Sequence, residues 1–193
     1  MVISAADLTS FTNEVSEAFD RGEIPGPIHL NSETQIEPLM KIFQVIKPSD
    51  WVLSTWRSMY HALLKGVPRE LVLKEVLAGR SMQLHFPQYK FMSSSIMGGM
   101  LPIACGLAAG GQKVWCFVGD MARCTGAYQD AMNYAHGSEL PVTFVCEDNG
   151  LSTNTPTEKA WGKPLEFKLK KEERHYFYER TTPHYGTKPA TGF

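Results

Sequence analysis

An aspartate and an asparagine stand 29 residues apart in this sequence, each just beyond a short apolar run. Asp120 follows the run Val114 to Val118, and Asn149 follows the run Val142 to Cys146. Runs of this length and composition predict buried strands. A carboxylate and an amide oxygen suit a hard cation such as Mg²⁺, which completes its shell with water and phosphate oxygens. The pair therefore indicates a site for a metal-bound diphosphate, provided that the two strand ends meet.

The segment between the two runs decides whether those ends meet. Thr125 to His136 carries apolar residues at helical spacing, and Gly137 follows it as a predicted C-cap. Strand, helix and strand form a βαβ unit with parallel strands, so Asp120 and Asn149 share the carboxyl edge of one sheet. Ligands of open α/β sheets bind at that edge, where a helix amino end can hold phosphates. The alternative is an Asp that merely caps a helix and an Asn in a turn.

Four segments of the chain resemble one family. They are STWRSMYHALLKG, SSSIMGGMLPIACGLA, FVGD and LPVTFVCEDNG, and they are similar to the alpha subunit of 2-oxo acid dehydrogenases of the pyruvate and branched-chain type. The likeness runs from about Arg21 to about Pro156. It implies a three-layer αβα fold with a mainly parallel sheet and a single diphosphate-binding domain over residues 1–193. The implied cofactors are thiamine diphosphate and Mg²⁺.

The resemblance also implies a role for each matching position. Asp120, Asn149 and the backbone carbonyl of Leu151 would bind the metal ion. Arg57 would hold the diphosphate through its fork of donors. Backbone groups would meet the rest of the cofactor, namely the aminopyrimidine ring at Ser95 and Met97 and the phosphates at Gly119, Met121 and Ala122.

Some positions depart from the family pattern. Met121 replaces the second Gly of Gly-Asp-Gly, which would strain the backbone if that position needs a positive φ. Asp148 replaces the first Asn of the family's Asn pair and adds a negative charge near the predicted metal. Trp56 and Met59 stand where relatives commonly carry Tyr and His. The likeness also implies a shortened form, because the family's later half, with a His-bearing loop that closes over the cofactor, has no counterpart here.

Histidines are the candidates for acid–base catalysis. The segment Ser54 to Lys65 predicts one helix, on which His61 follows Arg57 by four residues and so shares its face. His61 and His85 are the two that we expect to lie near the site, and His29 is a further candidate. The alternative for each is a structural histidine held by hydrogen bonds.

The implied function is that of an alpha-type subunit of an enzyme that acts on a 2-oxo acid by decarboxylation and by acyl or aldehyde transfer. In the family, the Glu that activates the aminopyrimidine belongs to a beta-type, pyrimidine-domain subunit. We therefore expect a chain that is inactive without such a partner, paired with it in a heterotetramer. A split transketolase-like subunit and a degenerate, non-catalytic cofactor-domain protein are the alternatives. Residues 163–193, rich in charge and aromatics, predict either a solvated helix or strand or an arm that contacts the partner.

Composition narrows the class of protein. The 193 residues are 43% hydrophobic and carry a formal net charge of −1, which gives no sign of a nucleic-acid partner. No CxxC pair occurs, and this predicts reduced core thiols in a cytoplasmic protein for Cys105, Cys116, Cys124 and Cys146. The longest apolar stretch, Ile96 to Gly111, falls short of the ~20 residues that a bilayer requires. It predicts a closely packed helix and no membrane association.

Overall fold

Helices and strands alternate along the chain in a computed structural model that describes residues 3–162 and 168–188. The helices are α1 (Ala5–Asp20), α2 (Ile36–Phe43), α3 (Met59–Leu64), α4 (Arg69–Leu77), α5 (Met100–Ala109), α6 (Asp120–Arg123), α7 (Gly126–Gly137) and α8 (Thr157–Trp161). The strands are β1 (Trp51–Ser54), β2 (His85–Phe86), β3 (Phe91–Ser93), β4 (Val114–Gly119), β5 (Val142–Asp148), β6 (Leu151–Ser152), β7 (Thr155–Pro156) and β8 (Glu173–Phe177). Short 3₁₀ turns occupy Glu33–Gln35 and Pro87–Tyr89.

One sheet carries the fold, in the order β2-β3-β1-β4-β5-β8. Strands β3, β1, β4, β5 and β8 run parallel to their neighbours, and β2 pairs antiparallel with β3 at one edge. The short hairpin of β6 and β7 lies apart from this sheet. The topology is that of an α/β protein with a mainly parallel sheet, as the sequence predicts.

Alternate residues of the strands supply two separate cores, one on each face of the sheet. Trp115 and Phe117 of β4 join the core that includes α1 to α4. Val114, Cys116 and Val118 of the same strand join the core that includes α5 and α7. Because side chains of a strand point to opposite faces in turn, a strand that is apolar throughout must be covered on both faces. The result is the expected three-layer αβα arrangement.

The central βαβ unit is present as predicted. Strands β4 and β5 are parallel neighbours, in a register that pairs Val114 with Val142 and Gly119 with Glu147. Helix α7 connects them and begins after Thr125, whose hydroxyl accepts a hydrogen bond from the N–H of Tyr128. The helix extends through Gly137, one residue beyond its predicted end. The short helix α6, which the sequence reasoning did not identify, follows β4 directly and places Asp120 at its first position.

The single helix predicted for Ser54 to Lys65 is wrong in its first half. Ser54 ends strand β1, in which Val52 and Leu53 are fully buried, and helix α3 begins only at Met59. Arg57 therefore lies in the loop between β1 and α3, not one helical turn before His61. Pairing of β1 with both β3 and β4 supplies the backbone hydrogen bonds that override the helical pattern.

Other predicted helices are present close to the expected bounds. Leu8 to Phe19 lies within α1, and Arg69–Leu77 follows Pro68 at the start of α4. The stretch Ile96 to Gly111 forms α5 over Met100–Ala109. In the described part of the chain, no helix has the length and apolar character that crossing a bilayer requires.

The segment predicted as a solvated helix or strand belongs in part to the sheet. Within residues 163–193, residues 163–167 and 189–193 lie outside the described residues. Strand β8 pairs with β5, and Tyr176 and Tyr178 are buried against the chain's own core. After β8 the chain crosses over residues 28–34, where Thr181 N–H donates to Ser32 Oγ at 3.1 Å and Gly186 N–H donates to the Ile28 carbonyl at 2.8 Å. We call residues 179–186 the C-terminal strap.

Candidate functional site

A cleft lies at the carboxyl ends of β1, β4 and β5. Eight of the nine residues predicted to bind the cofactor line it, namely Arg57, Met97, Gly119, Asp120, Met121, Ala122, Asn149 and Leu151. The ninth, Ser95, is not among its lining residues, although the neighbouring Ser94 and Ile96 are. The structure thus gathers side chains from distant parts of the sequence at the edge where parallel sheets bind ligands.

Asp120 is the most buried of the predicted metal-binding residues, at 2% exposure, and its Oδ2 atom has no hydrogen-bond partner. Burial, and secondarily the nearby charge of Asp148, raise its pKa from 3.8 to about 6. Thr157 and the backbone N–H groups at the start of α6 act in the opposite direction. An ionised carboxylate in such a place is stabilised by a cation. Asp120 is therefore suited to bind a metal ion.

Asn149 has its amide held by two partners. Its Nδ2–H donates to the hydroxyl of Tyr178 at 2.8 Å, and its Oδ1 accepts from the backbone N–H of Leu151 at 3.0 Å. The opposite orientation would bring the amide NH₂ against the N–H of Leu151, two donors facing each other. The side-chain oxygen of Asn149 therefore faces Leu151, which the sequence predicts to bind the same metal ion.

The extra negative charge of Asp148 has a partner of its own. Its Oδ2 lies 3.0 Å from Nε2 of His175 on the neighbouring strand β8, and its Oδ1 accepts from the N–H of Gly150 at 2.9 Å. Gly150 adopts a positive φ of 68°, which suits this tight turn between β5 and β6. Asp148 is thus engaged within the chain while still adding negative potential beside Asp120.

Met121 does not carry the strain that a positive φ would impose. Non-glycine residues with positive φ in the described part of the chain are Lys90, Glu139 and Thr153. Met121 instead lies in the first turn of α6. Its side chain therefore affects the shape of the cleft and not the backbone geometry.

Arg57 presents a buried positive charge to the cleft. It is 7% exposed, and its guanidinium donates to two carbonyl oxygens, that of Leu30 at 3.2 Å and that of His184 in the C-terminal strap at 3.1 Å. Among the described residues, no carboxylate forms an ion pair with it. A buried cation with neutral partners favours binding of an anion, and the guanidinium fork matches phosphate oxygens.

The two predicted catalytic histidines do not line the cleft. His85 lies on β2 at the edge of the sheet and is exposed. His61 is completely buried below the cleft, with its ring 4.5 Å from that of Phe117 and its Nε2 atom 3.0 Å from Oε1 of Glu147. The third candidate, His29, lies against the strap, where burial is the main cause that lowers its pKa to about 4. His29 and His61 thus have hydrogen-bond partners within the chain, His85 is exposed at the sheet edge, and a catalytic role for any of them stays a prediction.

Glu147 lines the cleft and was missed by the sequence reasoning. Its Oε1 atom accepts hydrogen bonds from Gln35 Nε2 at 2.7 Å and from the hydroxyl of Tyr176, besides its contact with His61. The available signal was a glutamate inside an otherwise apolar strand, because a buried charge occurs where partners or a ligand stabilise it. Tyr178, also in the cleft, gave no signal from its sequence neighbourhood.

No group of three His, Cys, Asp or Glu side chains in the described residues could hold a metal ion. A cation at Asp120 would therefore need amide and carbonyl oxygens from the chain together with oxygens of water or of a bound anion. This is the mode in which Mg²⁺ commonly binds. The cleft thus combines the unpartnered carboxylate oxygen of Asp120, neutral oxygen ligands and a buried guanidinium, a set that suits a metal-bound diphosphate.

Comparison with known proteins identifies the class. Residues 5–165 match the family model described as dehydrogenase E1 component. The match covers the sheet from β1 to β5 and every predicted site residue. The chain belongs to this family.

Individual relatives are distant. The alpha subunit of acetoin:2,6-dichlorophenolindophenol oxidoreductase from Bacillus subtilis (strain 168) is 28% identical over 170 residues, which are 80% of this chain and 51% of the relative. The alpha subunit of the pyruvate dehydrogenase E1 component from Porphyra purpurea is 26% identical over 166 residues, 72% of this chain and 47% of the relative. The chain thus spans about half the length of these relatives.

A solved structure also matches in part. It is described as a thiamin diphosphate-dependent enzyme from Mycobacterium smegmatis, and it is 21% identical with a TM-score of 0.45 over 64% of this chain and 22% of that one.

Proposed function

We propose that the chain is an alpha-type subunit of a thiamine diphosphate- and Mg²⁺-dependent enzyme that acts on a 2-oxo acid. The observation that carries the proposal is Asp120, a buried carboxylate at a strand end with an unpartnered oxygen. It faces a cleft that also contains the buried guanidinium of Arg57. One cation and one polyanion, bound together, would neutralise both groups.

The residues of the cleft fit the two cofactors. Asp120, Asn149 and the carbonyl of Leu151 would hold Mg²⁺, and Arg57 would hold the diphosphate. Backbone groups of Gly119, Met121 and Ala122 at the start of α6 would lie along the phosphates. A Cβ atom built at Gly119 would meet no atom within 4 Å, so the chain leaves open space beside this backbone. Met97, with Ser95 on the same loop, would meet the aminopyrimidine.

Thiamine diphosphate, when bound, supplies a nucleophilic carbon and an electron sink for decarboxylation of a 2-oxo acid. The residues of this chain would bind and orient it, since they offer charge and hydrogen bonds for the diphosphate. The other carboxylate of the cleft, Glu147, has its Oε1 atom engaged by His61, Gln35 and Tyr176. Proton transfer at the aminopyrimidine would fall to a Glu of a beta-type subunit.

Two features support such a partner. Ile96 and Met97, on the loop at the cleft, are 72% and 54% exposed, although both are apolar. Strand β8 is an edge strand, a position that proteins commonly cover. Phe177 on this strand and Tyr185 in the strap are 65% and 44% exposed and are candidate anchors. We propose that residues 1–193 form one diphosphate-binding domain whose tail contacts a beta-type subunit in a heterotetramer.

The four cysteines are free thiols, and Cys105, Cys116 and Cys146 are buried. Free buried thiols support a reducing compartment, and we place the protein in the cytoplasm.

The test is titration of the chain, alone and with its beta-type partner, with thiamine diphosphate at several Mg²⁺ concentrations in a calorimeter. We expect Mg²⁺-dependent binding that Asp120→Ala abolishes. Asp130→Ala, which removes an exposed aspartate of α7, should bind as the wild type does. Binding that is independent of Mg²⁺, or that survives Asp120→Ala, would contradict the metal site.

Activity separates the enzyme from a non-catalytic cofactor-domain protein. The complex is supplied with a panel of 2-oxo acids and an artificial electron acceptor, and CO₂ release is measured. Release that requires both subunits and both cofactors supports the proposed function. If Mg²⁺ and cofactor bind but no 2-oxo acid is decarboxylated, the chain is a binding subunit without this activity.

A further inference from the structure

Strand β8 and the residue that follows it bring two tyrosines against residues of the cleft. Tyr176 and Tyr178 are two residues apart and point to the same side of the chain, toward Glu147 and Asn149 of the neighbouring segment. The N–H of Tyr178 also donates to the carbonyl of Asp148 at 2.8 Å, which fixes the backbone of the tyrosine against the end of β5. The ring of Tyr178 is thus anchored beside the site at both its backbone and its hydroxyl.

We propose that Tyr178 is a positioning residue for the metal ligand Asn149. This inference rests on the proposed function, because it assigns a role toward the same metal ion. The N–H of Leu151, 3.0 Å from Oδ1, determines which end of the amide is the oxygen. The hydroxyl of Tyr178, 2.8 Å from Nδ2, holds the other end and so fixes the tilt of the amide plane. Oδ1 has a second lone pair, which does not accept from Leu151, and these two contacts fix the direction in which it points.

The phenol suits this role better than a charged group would. Tyr178 is 6% exposed, and its hydroxyl lies near the carboxylates of Glu147 and Asp120. A neutral acceptor can bind the amide N–H without adding to that negative charge. Partners of metal ligands of this kind typically change metal affinity by about 10- to 100-fold when they are removed.

The variant Tyr178→Phe removes the hydroxyl and keeps the ring in its packing. The matched control is Tyr60→Phe, which removes a buried tyrosine hydroxyl that accepts from Thr12 Oγ1 at 2.8 Å and belongs to a residue that does not line the cleft. Binding of Mn²⁺ to the purified full chain in the presence of thiamine diphosphate is measured by electron paramagnetic resonance. We expect about 10-fold weaker Mn²⁺ binding for Tyr178→Phe and less than a 2-fold change for Tyr60→Phe.

A double-mutant cycle gives a readout that general loosening of the fold would not produce. In an Asn149→Ala background, Tyr178→Phe should weaken Mn²⁺ binding by less than 2-fold, because the amide that it positions is gone. A 10-fold effect that persists in this background would overturn the assignment. So would unchanged Mn²⁺ affinity of Tyr178→Phe alongside the expected loss in Asp120→Ala, which would leave the proposed function standing. If the wild-type chain binds no Mn²⁺ with thiamine diphosphate, both proposals fail together.

Discussion

Replacement of Asp120 by asparagine is expected to stabilise the metal-free protein at neutral pH. The carboxyl is 2% exposed, and its pKa is raised from 3.8 to about 6. One pKa unit is equivalent to about 1.4 kcal/mol, so ionisation of this group at pH 7.5 lowers the free energy of unfolding by about 3 kcal/mol. Asparagine has nearly the same shape and no charge. Asp120→Asn should therefore raise the free energy of unfolding by up to about 3 kcal/mol in the absence of divalent metal.

The sign of the effect fixes its pH dependence. Between pH 3.8 and about 6 the folded state binds more protons at Asp120 than the unfolded state does. The wild type therefore loses stability as the pH rises through this window, and Asp120→Asn does not. The difference between the two proteins should be close to zero near pH 3.5 and reach its maximum above pH 7.

Urea unfolding in the presence of a chelator, followed by circular dichroism at several pH values, measures this difference. Asp130→Asn is the control, because it removes the same charge from an exposed position of α7 and should change stability little at any pH. Mg²⁺ with thiamine diphosphate should reverse the order by stabilising only the wild type. The reasoning would be refuted if Asp120→Asn had a lower free energy of unfolding than the wild type at pH 7.5. It would also be refuted if the difference between the two proteins did not vary with pH.

Three further predictions concern stability away from Asp120. The pKa of His29 is lowered to about 4, so the unfolded state takes up the proton at a higher pH than the folded state does. The free energy of unfolding should therefore rise by about 2 kcal/mol from pH 4 to 6.5. Urea unfolding of His29→Asn should show a smaller rise over this range, and a rise equal to that of the wild type would contradict the role of His29. Glu173→Gln removes the charge that meets Arg123 at 2.7 Å in a buried pair, and urea unfolding should show a loss of about 3 kcal/mol; a loss below about 1 kcal/mol would contradict this role. Gly79→Ala places a Cβ atom 2.5 Å from the Pro25 carbonyl oxygen at a φ of 75°, so the thermal midpoint should fall in line with about 2 kcal/mol, and wild-type stability would show that the backbone adapts.

The central βαβ unit could be predicted because its signals are local. Apolar runs of five residues before Asp120 and Asn149 leave few alternatives to buried strands, and the helical spacing between them is regular. Strand direction then follows from chain geometry, which places both residues at one edge. Most of the predicted cleft residues lie close to these two points in sequence or on a recognisable motif.

The strands β1 and β8 could not be predicted, for different physical reasons. β1 has four residues and leads into a stretch with helical spacing, so its identity depends on pairing with β3 and β4. β8 contains Glu173 and Arg174, charged residues that are typical of a solvated segment. Glu173 is buried only because Arg123 and Tyr128, 50 and 45 residues earlier, bind its carboxylate. Contacts between such distant residues leave no local pattern in the sequence. The contacts of Glu147 and Tyr178 are of this kind, so their places in the cleft could not be predicted either.

The C-terminal strap has a consequence for the synthesis of the protein. The guanidinium of Arg57 is held by the carbonyl of His184, a residue that leaves the ribosome 127 residues later. The hydrogen bond from the amide of Asn149 likewise forms only after Tyr178 has been synthesised. Strands β1 to β5 can pair before the strap emerges, but the cleft acquires its ligand-holding geometry only when the last part of the chain closes over residues 28–34. The proposed site for metal and cofactor would then be complete only after residue 184 has left the ribosome.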